Sequence, residues 1–496
     1  MLKKLAGQTA IYGISSIVGR FLNFLLVPLY TRVFHAGEYG EVTQILAYVS
    51  FLNVLFTYGM ETAYFRFFQS ESGNPKVYST SLLSLIGTSL FLGLLIVLFS
   101  GPLSDCITVP ESQKQNTALY ISWFAGILAF DAIAVLPFAR LRMENKAKRF
   151  AFVRLFNILI NISLNLFFLI WCPKAIASGS TWLNSIYDPA FGIGYIFLSQ
   201  FISSLLTLVI LAPEIVGIKF QFDSTLWRQM VVYAFPLMIA GYAGMVNETF
   251  DRILLPYLLA DKSQAITQLG IYGACYKLSM LMTLVVQTFR YAADPFFFSQ
   301  AGKDDSQKIY ARVMYYFVLF CCFVFLGILL YLDIVKYFIG NEFRSGLGIV
   351  PILLLANLFL GVYLNLSIWY KITSKTRWGA WFSVFGAVVT LAFNFLLIPV
   401  MGFYGAAWAT FICYASMMVL SYIYGQKHYP VPYDVKSFAL AILSALGFYW
   451  LSLYIDPIFE GNRVVILLIN TTLLLSWMAL IWVLEREKIG YLRIWK

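Results

Sequence analysis

The chain has 496 residues, 60% of them hydrophobic and only 12% charged, with a formal net charge of +11. Soluble domains carry about 25% charged residues, so this composition excludes a soluble globular protein. The positive excess is spread over many short connections between apolar runs, which is the signature of membrane topology and not of a nucleic-acid-binding surface.

Apolar runs of about 20 residues or more recur from end to end and predict an all-α, polytopic membrane protein with about 14 transmembrane helices. Spans 1 to 7 lie near 8–33, 41–68, 79–100, 117–139, 150–171, 190–212 and 229–257. Spans 8 to 14 lie near 267–298, 312–332, 347–370, 379–399, 402–424, 437–455 and 464–484. The basic start, Met1 to Lys4, leads into an apolar stretch that runs to Phe34. That stretch is longer than the core of a signal peptide and no small-residue cleavage pattern follows, so a retained first span is expected.

Lysine and arginine set the orientation. With the N-terminus in the cytoplasm, cytoplasmic segments collect 24 of the 35 basic residues, external segments hold seven, and four lie within spans. The fourth connection is the richest, with Arg140, Arg142, Lys146, Lys148, Arg149 and Arg154. Both termini are therefore expected in the cytoplasm. The longest external connection, Cys172 to Asp188, is too short to be a domain, so function is expected within the membrane. Six cysteines are scattered without a CxxC, and His35 and His428 lie far apart, so no metal or other cofactor is expected. Cys106 and Cys172 fall in predicted external loops, where a disulfide between them is disfavoured, and the remaining cysteines are read as packing thiols.

The chain echoes itself. At an offset of 229, Lys146 meets Lys375, Ala151 meets Ala380, Phe156 meets Phe385 and Asn165 meets Asn394. Tyr39–Gly40 opens span 2 as Tyr272–Gly273 lies at the start of span 8. The order of motifs predicts two six-helix lobes in the same orientation, residues 1–212 and 213–430. Residues 431–496 then add two further transmembrane helices and a cytoplasmic tail.

Four cations sit inside spans: Arg20, Arg252, Lys277 and Arg290. A charge at bilayer depth costs about 2.5–3.5 kcal/mol even on lenient insertion scales, so such a group faces a protein interior or a wet cavity. Arg20 shares a helical stripe with Ser16 and Asn23, candidate polar groups of a cavity, and has no acid on its own helix. Lys277 has no acid one turn away either. Arg290 has Asp294 at i+4 and Arg252 has Glu248 at i−4, so each has a local counter-ion in reach. Glu61, Asp131 and Asp251 are intramembrane acids without an obvious cation on their own helix; each either couples H⁺ or Na⁺ to transport or is the static partner of Arg20 or Lys277. Pro28, Pro236 and Pro256 interrupt the backbone bonding of spans 1 and 7 and are hinge candidates.

The stretch SSIVGRFLNFLLVPLYTRVFHAGEYGEV (15–42) resembles polysaccharide-lipid flippases of the multidrug/oligosaccharidyl-lipid/polysaccharide exporter superfamily. So do FDRILLPYLL (250–259) and LGIYGACYKLSMLMTLVVQTFRYAADPFFF (269–298). The resemblance implies two lobes related by a pseudo-two-fold axis around a central cavity. It implies a lipid-diphosphate-linked oligosaccharide carried across a bacterial cytoplasmic membrane by alternating access, for cell-surface polysaccharide biosynthesis. Arg20 and Lys277 are then the expected diphosphate ligands, with Arg252 and Arg290 as further candidates. Membrane lipids, and a polysaccharide polymerase or export machinery, are the expected partners; no nucleic acid is. Two alternatives stay open. One is a drug or metabolite cation antiporter of the same fold, for which the intramembrane acids speak. The other is a membrane polysaccharide polymerase or ligase. Against that enzyme stand the lack of a large external loop and the placement of the only Asp-Asp pair, Asp304–Asp305, in a short cytoplasmic turn.

Overall fold

The computed structural model describes residues 13–494 except 14, 16, 72, 108–113, 180, 218, 220, 460 and 461. Every regular element among the described residues is helical. Among the described residues twelve helices are long and apolar enough to cross a membrane, and the shorter apolar helix Gly194–Ile210 lies on span 6. Span 1 is helical over 17–24 and again over Val27–Val33, so each of the fourteen predicted spans falls on helix.

Helix ends are set by local chemistry. Asp223 accepts from the backbone N–H groups of Thr225 (3.0 Å) and Leu226 (3.1 Å) and starts Ser224–Leu258. Asn74 accepts from the Lys76 N–H (3.0 Å) ahead of a helix that opens on Pro75, a residue suited to a first turn. Span 2 begins earlier than expected, at Ala36, because His35 and Glu38 cap it reciprocally; the His35 N–H donates to the Glu38 carboxylate at 3.0 Å. It then breaks into Ala36–Thr57 and Met60–Ser70 at Tyr58 (φ 32°) and Gly59 (φ 73°). Span 5 extends past its predicted end: Ala147–Leu166 passes through a widened turn at Phe167–Trp171 and continues to Ala177. Its Cys172 is a buried free thiol, in keeping with a packing role.

The chain packs as two compact units. One holds the residues up to Gly273 together with Thr390–Phe403. Its core gathers Val42, Ile45, Phe124, Phe168 and Phe197 in one cluster and Met60, Tyr64, Leu82, Leu136 and Met230 in another. The other holds Ala274–Val389 and the residues from Tyr404 on, with a core of Tyr363, Trp369, Tyr370, Phe382, Cys413 and Tyr414.

The repeat in the sequence is also a repeat in local geometry. Asn145 (φ 56°) and Ser374 (φ 57°) occupy the left-handed region at matching positions of the 229-residue offset. Each is followed by a lysine whose N–H closes the turn, Lys146 onto the Leu141 carbonyl and Lys375 onto the Tyr370 carbonyl, both at 2.8 Å. Asn165 and Asn394 likewise fold their amide back onto the carbonyl four residues earlier, Asn161 and Thr390, again both at 2.8 Å.

Candidate functional site

Arg20 and Asn23 are both exposed on the helix 17–24, one turn apart and therefore on one face. Ser16, the third member of that stripe, lies outside the described residues. Gly19 lies one residue before Arg20, where an added Cβ would meet the tip of the Ile158 side chain of span 5 at 2.6 Å, so the helix packs closely on span 5 there. Pro28 sits in the first turn of Val27–Val33, right after the interruption at Leu25–Leu26. Pro236 and Pro256 lie inside the continuous helix Ser224–Leu258, the first exposed and the second buried.

Asp251 is buried on that same helix. The Tyr272 hydroxyl donates a short hydrogen bond to it, and the Arg252 backbone N–H donates to its other oxygen at 2.8 Å. Arg252 itself is half-buried and acts on Asp251 as a neighbouring positive charge. Asp131 on span 4 has the Ser204 hydroxyl of span 6 nearby and lies in the field of Arg154 on span 5. Asn157 donates to the Ser203 carbonyl (3.0 Å) and the Thr207 hydroxyl (2.7 Å), so spans 5 and 6 share a polar seam.

Glu61 is ion-paired with Arg142, a residue of the basic fourth connection. Arg142 is thus the partner on another helix that the static reading of Glu61 required, in place of Arg20 or Lys277. Other members of that connection are engaged as well. Arg149 donates to the Glu214 carboxylate at 2.9 Å, and Arg140 bonds Glu144 at 2.6 Å and the Glu214 carbonyl at 2.9 Å. The basic connection is therefore in good part a clamp across the ends of spans 2, 4, 5 and 6.

In the second unit, Lys277 is half-buried on Lys262–Gln300. Two residues on, Ser279 accepts the Asn357 amide from span 10 at 3.3 Å. Arg290 is exposed and pairs with Asp294 at 3.5 Å, the one-turn pair its spacing predicts. Asp294 also takes Lys371 at 3.3 Å. These pairs follow the internal repeat: Glu61 and Asp294 stand at the same 233-residue offset as Tyr39 and Tyr272, while Arg142 and Lys371 obey the 229-residue offset. Each half of the chain thus ties the late part of its second span to the late part of its fourth with one acid and one base.

Sequence reasoning missed several of these features. In the sequence Arg142 belongs to the basic fourth connection and Lys371 stands at its 229-residue equivalent, and that equivalence is the available signal for their shared pairing role. The break at Tyr58–Gly59 carries no proline; its sequence signal is the glycine of the Tyr-Gly pair, which takes a left-handed turn without steric cost. Glu41 was assigned to the boundary of span 2, yet it is fully buried.

Chemically, each unit carries cations within its predicted spans: the first has Arg20, exposed, and Arg252, half-buried, with the buried Asp251 held by a hydroxyl and an amide donor, and the second has Arg290, exposed, and Lys277, half-buried. Such a set can bind anions and can exchange a bound cation.

The sequence matches the model of the polysaccharide biosynthesis protein family over residues 5–301. A comparison with curated proteins yields no significant match. Among solved structures, the lipid II flippase MurJ in an inward closed conformation superposes with a TM-score of 0.70 at 16% identity, covering 97% of this chain and 100% of that one. An inward-facing multidrug resistance MATE family transporter of the MOP superfamily gives 0.66 at 12% identity, covering 82% and 93%. A mutant MATE transporter from Vibrio cholerae gives 0.61 at 13% identity, covering 86% and 96%. At such identities the likeness establishes the fold, that of the MOP-superfamily transporters. The family match spans more than half of the sequence, and the chain belongs to the polysaccharide biosynthesis protein family.

Proposed function

We propose that this protein is a flippase that carries a lipid-diphosphate-linked oligosaccharide from the inner to the outer leaflet of a bacterial cytoplasmic membrane by alternating access. The observation that carries the reading is the pairing of family membership with Arg20, Lys277, Arg252 and Arg290 at span depth. A lipid diphosphate brings about two negative charges, while its tail can stay in lipid as the head passes. In this reading Arg20 and Lys277 hold the diphosphate, and Asn23, with Ser16, meets its polar surroundings. Arg290 contributes less, because Asp294 already neutralises it.

The moving parts are two six-helix lobes, 1–212 and 213–430, with the last two helices as an addition and both termini in the cytoplasm. Uptake of H⁺ or Na⁺ on an intramembrane acid supplies work, since one charge crossing 100 mV yields about 2.3 kcal/mol. Asp131 and Asp251 are the better candidates; Glu61 has its counter-ion in Arg142. The protein hands its product to a polymerase or export machinery and makes no bond itself.

A cation antiporter is the second reading, favoured by the buried acid Asp251 and by a fold shared with MATE transporters. The test is substitution in the native host. Arg20→Ala and Lys277→Ala should each abolish surface polysaccharide while the lipid-linked precursor accumulates on the cytoplasmic side. Normal polymer in both variants refutes the diphosphate assignment, and drug sensitivity with intact polymer selects the antiporter. Precursor that reaches the outer leaflet but stays unpolymerised selects an enzyme.

A further inference from the structure

Glu41 and Gln44 lie three residues apart on Ala36–Thr57 and so share one face of span 2. Both are fully buried, at 0% exposure. Across from them, the Thr117 hydroxyl of span 4 donates to Glu41 Oε1 at 3.2 Å. Glu41 Oε2 and both ends of the Gln44 amide find no hydrogen-bond partner among the described residues. Three orphaned polar atoms within one helical turn are unusual, because buried polar atoms are almost always paired. Among the described residues no basic side chain forms an ion pair with Glu41. The charged and titratable groups acting on it are Glu38 on its own helix and Tyr120 on span 4, whose hydroxyl is committed to the Phe191 carbonyl at 3.0 Å. Val42, Ile45 and Phe124 belong to the adjoining apolar core.

A lone carboxylate so enclosed is strongly disfavoured unless one positive charge joins it. The Gln44 amide oxygen, the Glu41 carboxylate and the Thr117 hydroxyl form an all-oxygen donor set, which suits a hard cation over a soft metal. We propose that Glu41, Gln44 and Thr117 form a site for one univalent cation, a sodium ion or a proton, inside the N-terminal helices. This deepens the ion-coupling part of the flippase reading and rests on that reading only for the use made of the ion. Its test reads binding and not polysaccharide, so the two fail separately.

The experiment compares thermal unfolding of the purified full chain, wild type and Glu41→Gln, in sodium chloride and in choline chloride, at alkaline and at acidic pH. Sodium occupancy raises the wild-type Tm by about 2 °C or more at alkaline pH and leaves Glu41→Gln unmoved. Proton occupancy leaves sodium without effect but gives the wild type a rise on acidification that Glu41→Gln lacks. Matching wild-type and Glu41→Gln responses to both sodium and pH overturn the site. Should Glu41→Gln fail to fold, Gln44→Leu and Thr117→Val keep the carboxylate and remove its companions. They should raise the half-saturating sodium concentration about threefold or more, or move the pH midpoint; unchanged values overturn the site.

Discussion

The Tyr272 hydroxyl bonds the Asp251 carboxylate, joining the Asp-Arg pair late in span 7 to the Tyr-Gly pair early in the next helix. Two of the three stretches that carry the family resemblance are thus tied by one hydrogen bond. Asp251 is buried, and Tyr272 is fully buried beside it. Removing the donor leaves a buried acceptor short of a partner, which costs about 1–3 kcal/mol. Tyr272→Phe should therefore lower the Tm measurably while keeping the ring's packing. Combined with Asp251→Asn it should cost less than the sum of the single changes, as expected for residues in contact. Additive losses would show that the hydroxyl and the carboxylate act apart.

The pairs Glu61–Arg142 and Lys371–Asp294 are predicted to be equivalent devices. Glu61 and Arg142 are each 36% exposed at the side chain, so solvent screening keeps the coupling near 0.2–1 kcal/mol. A double-mutant cycle with Glu61→Gln and Arg142→Gln should recover that coupling, and high salt should shrink it. Lys371 is the less exposed partner at 21%, which makes Lys371→Gln the more harmful single change. Equal losses for Arg142→Gln and Lys371→Gln would contradict the exposure argument.

How much of this was legible beforehand depends on the kind of signal. Long apolar helices announce themselves, because a bilayer demands about 20 uninterrupted apolar residues whatever packs against them. The repeat is legible in Lys146 and Lys375, each preceded by a left-handed residue at the matching position, Asn145 and Ser374. Pairing across helices was not legible. A sequence shows neighbours at i+4, so Arg290 and Asp294 could be paired in advance, while Glu61 looked unmatched until Arg142 was placed against it. Glu41 was lost through a boundary: starting span 2 at 41 put it at the water's edge. The His35–Glu38 cap, which is readable in the sequence, starts the helix at Ala36 and carries Glu41 and Gln44 inside.

A further prediction concerns the break in span 2. Gly59 has φ 73°, and a Cβ there would lie 3.1 Å from the Ala234 carbonyl oxygen. The left-handed conformation alone costs a side-chain-bearing residue about 1–2 kcal/mol. Gly59→Ala should therefore destabilise by roughly that amount, and Gly59→Val by more, since β-branched residues tolerate this region least. Gly244, where an added Cβ meets nothing within 4 Å, serves as the control: Gly244→Ala should be neutral or mildly stabilising through helix propensity. A Gly59→Ala protein as stable as wild type would mean that the break is not enforced at this position.

The close crossing of spans 2 and 8 yields the sharpest contrast among the glycines. A Cβ on Gly40 would overlap the Ile266 carbonyl oxygen, and one on Gly270 would overlap that of Ala36, so the two backbones touch without intervening side chains. Backbone atoms cannot rotate away, so a methyl group there forces the helices apart, as small residues at membrane-helix contacts normally prevent. Overpacking of this kind typically costs about 1–3 kcal/mol. At Gly19 the obstacle is the far end of a flexible side chain, Ile158 Cδ1 at 2.6 Å, which can swing aside. Gly40→Ala and Gly270→Ala should each lower the Tm more than Gly19→Ala, and the double variant should cost less than twice a single one, because one displaced crossing admits both methyl groups. Thermal unfolding of the four proteins decides the matter: equal Tm values for Gly40→Ala and Gly19→Ala would remove the distinction between a backbone obstacle and a side-chain one.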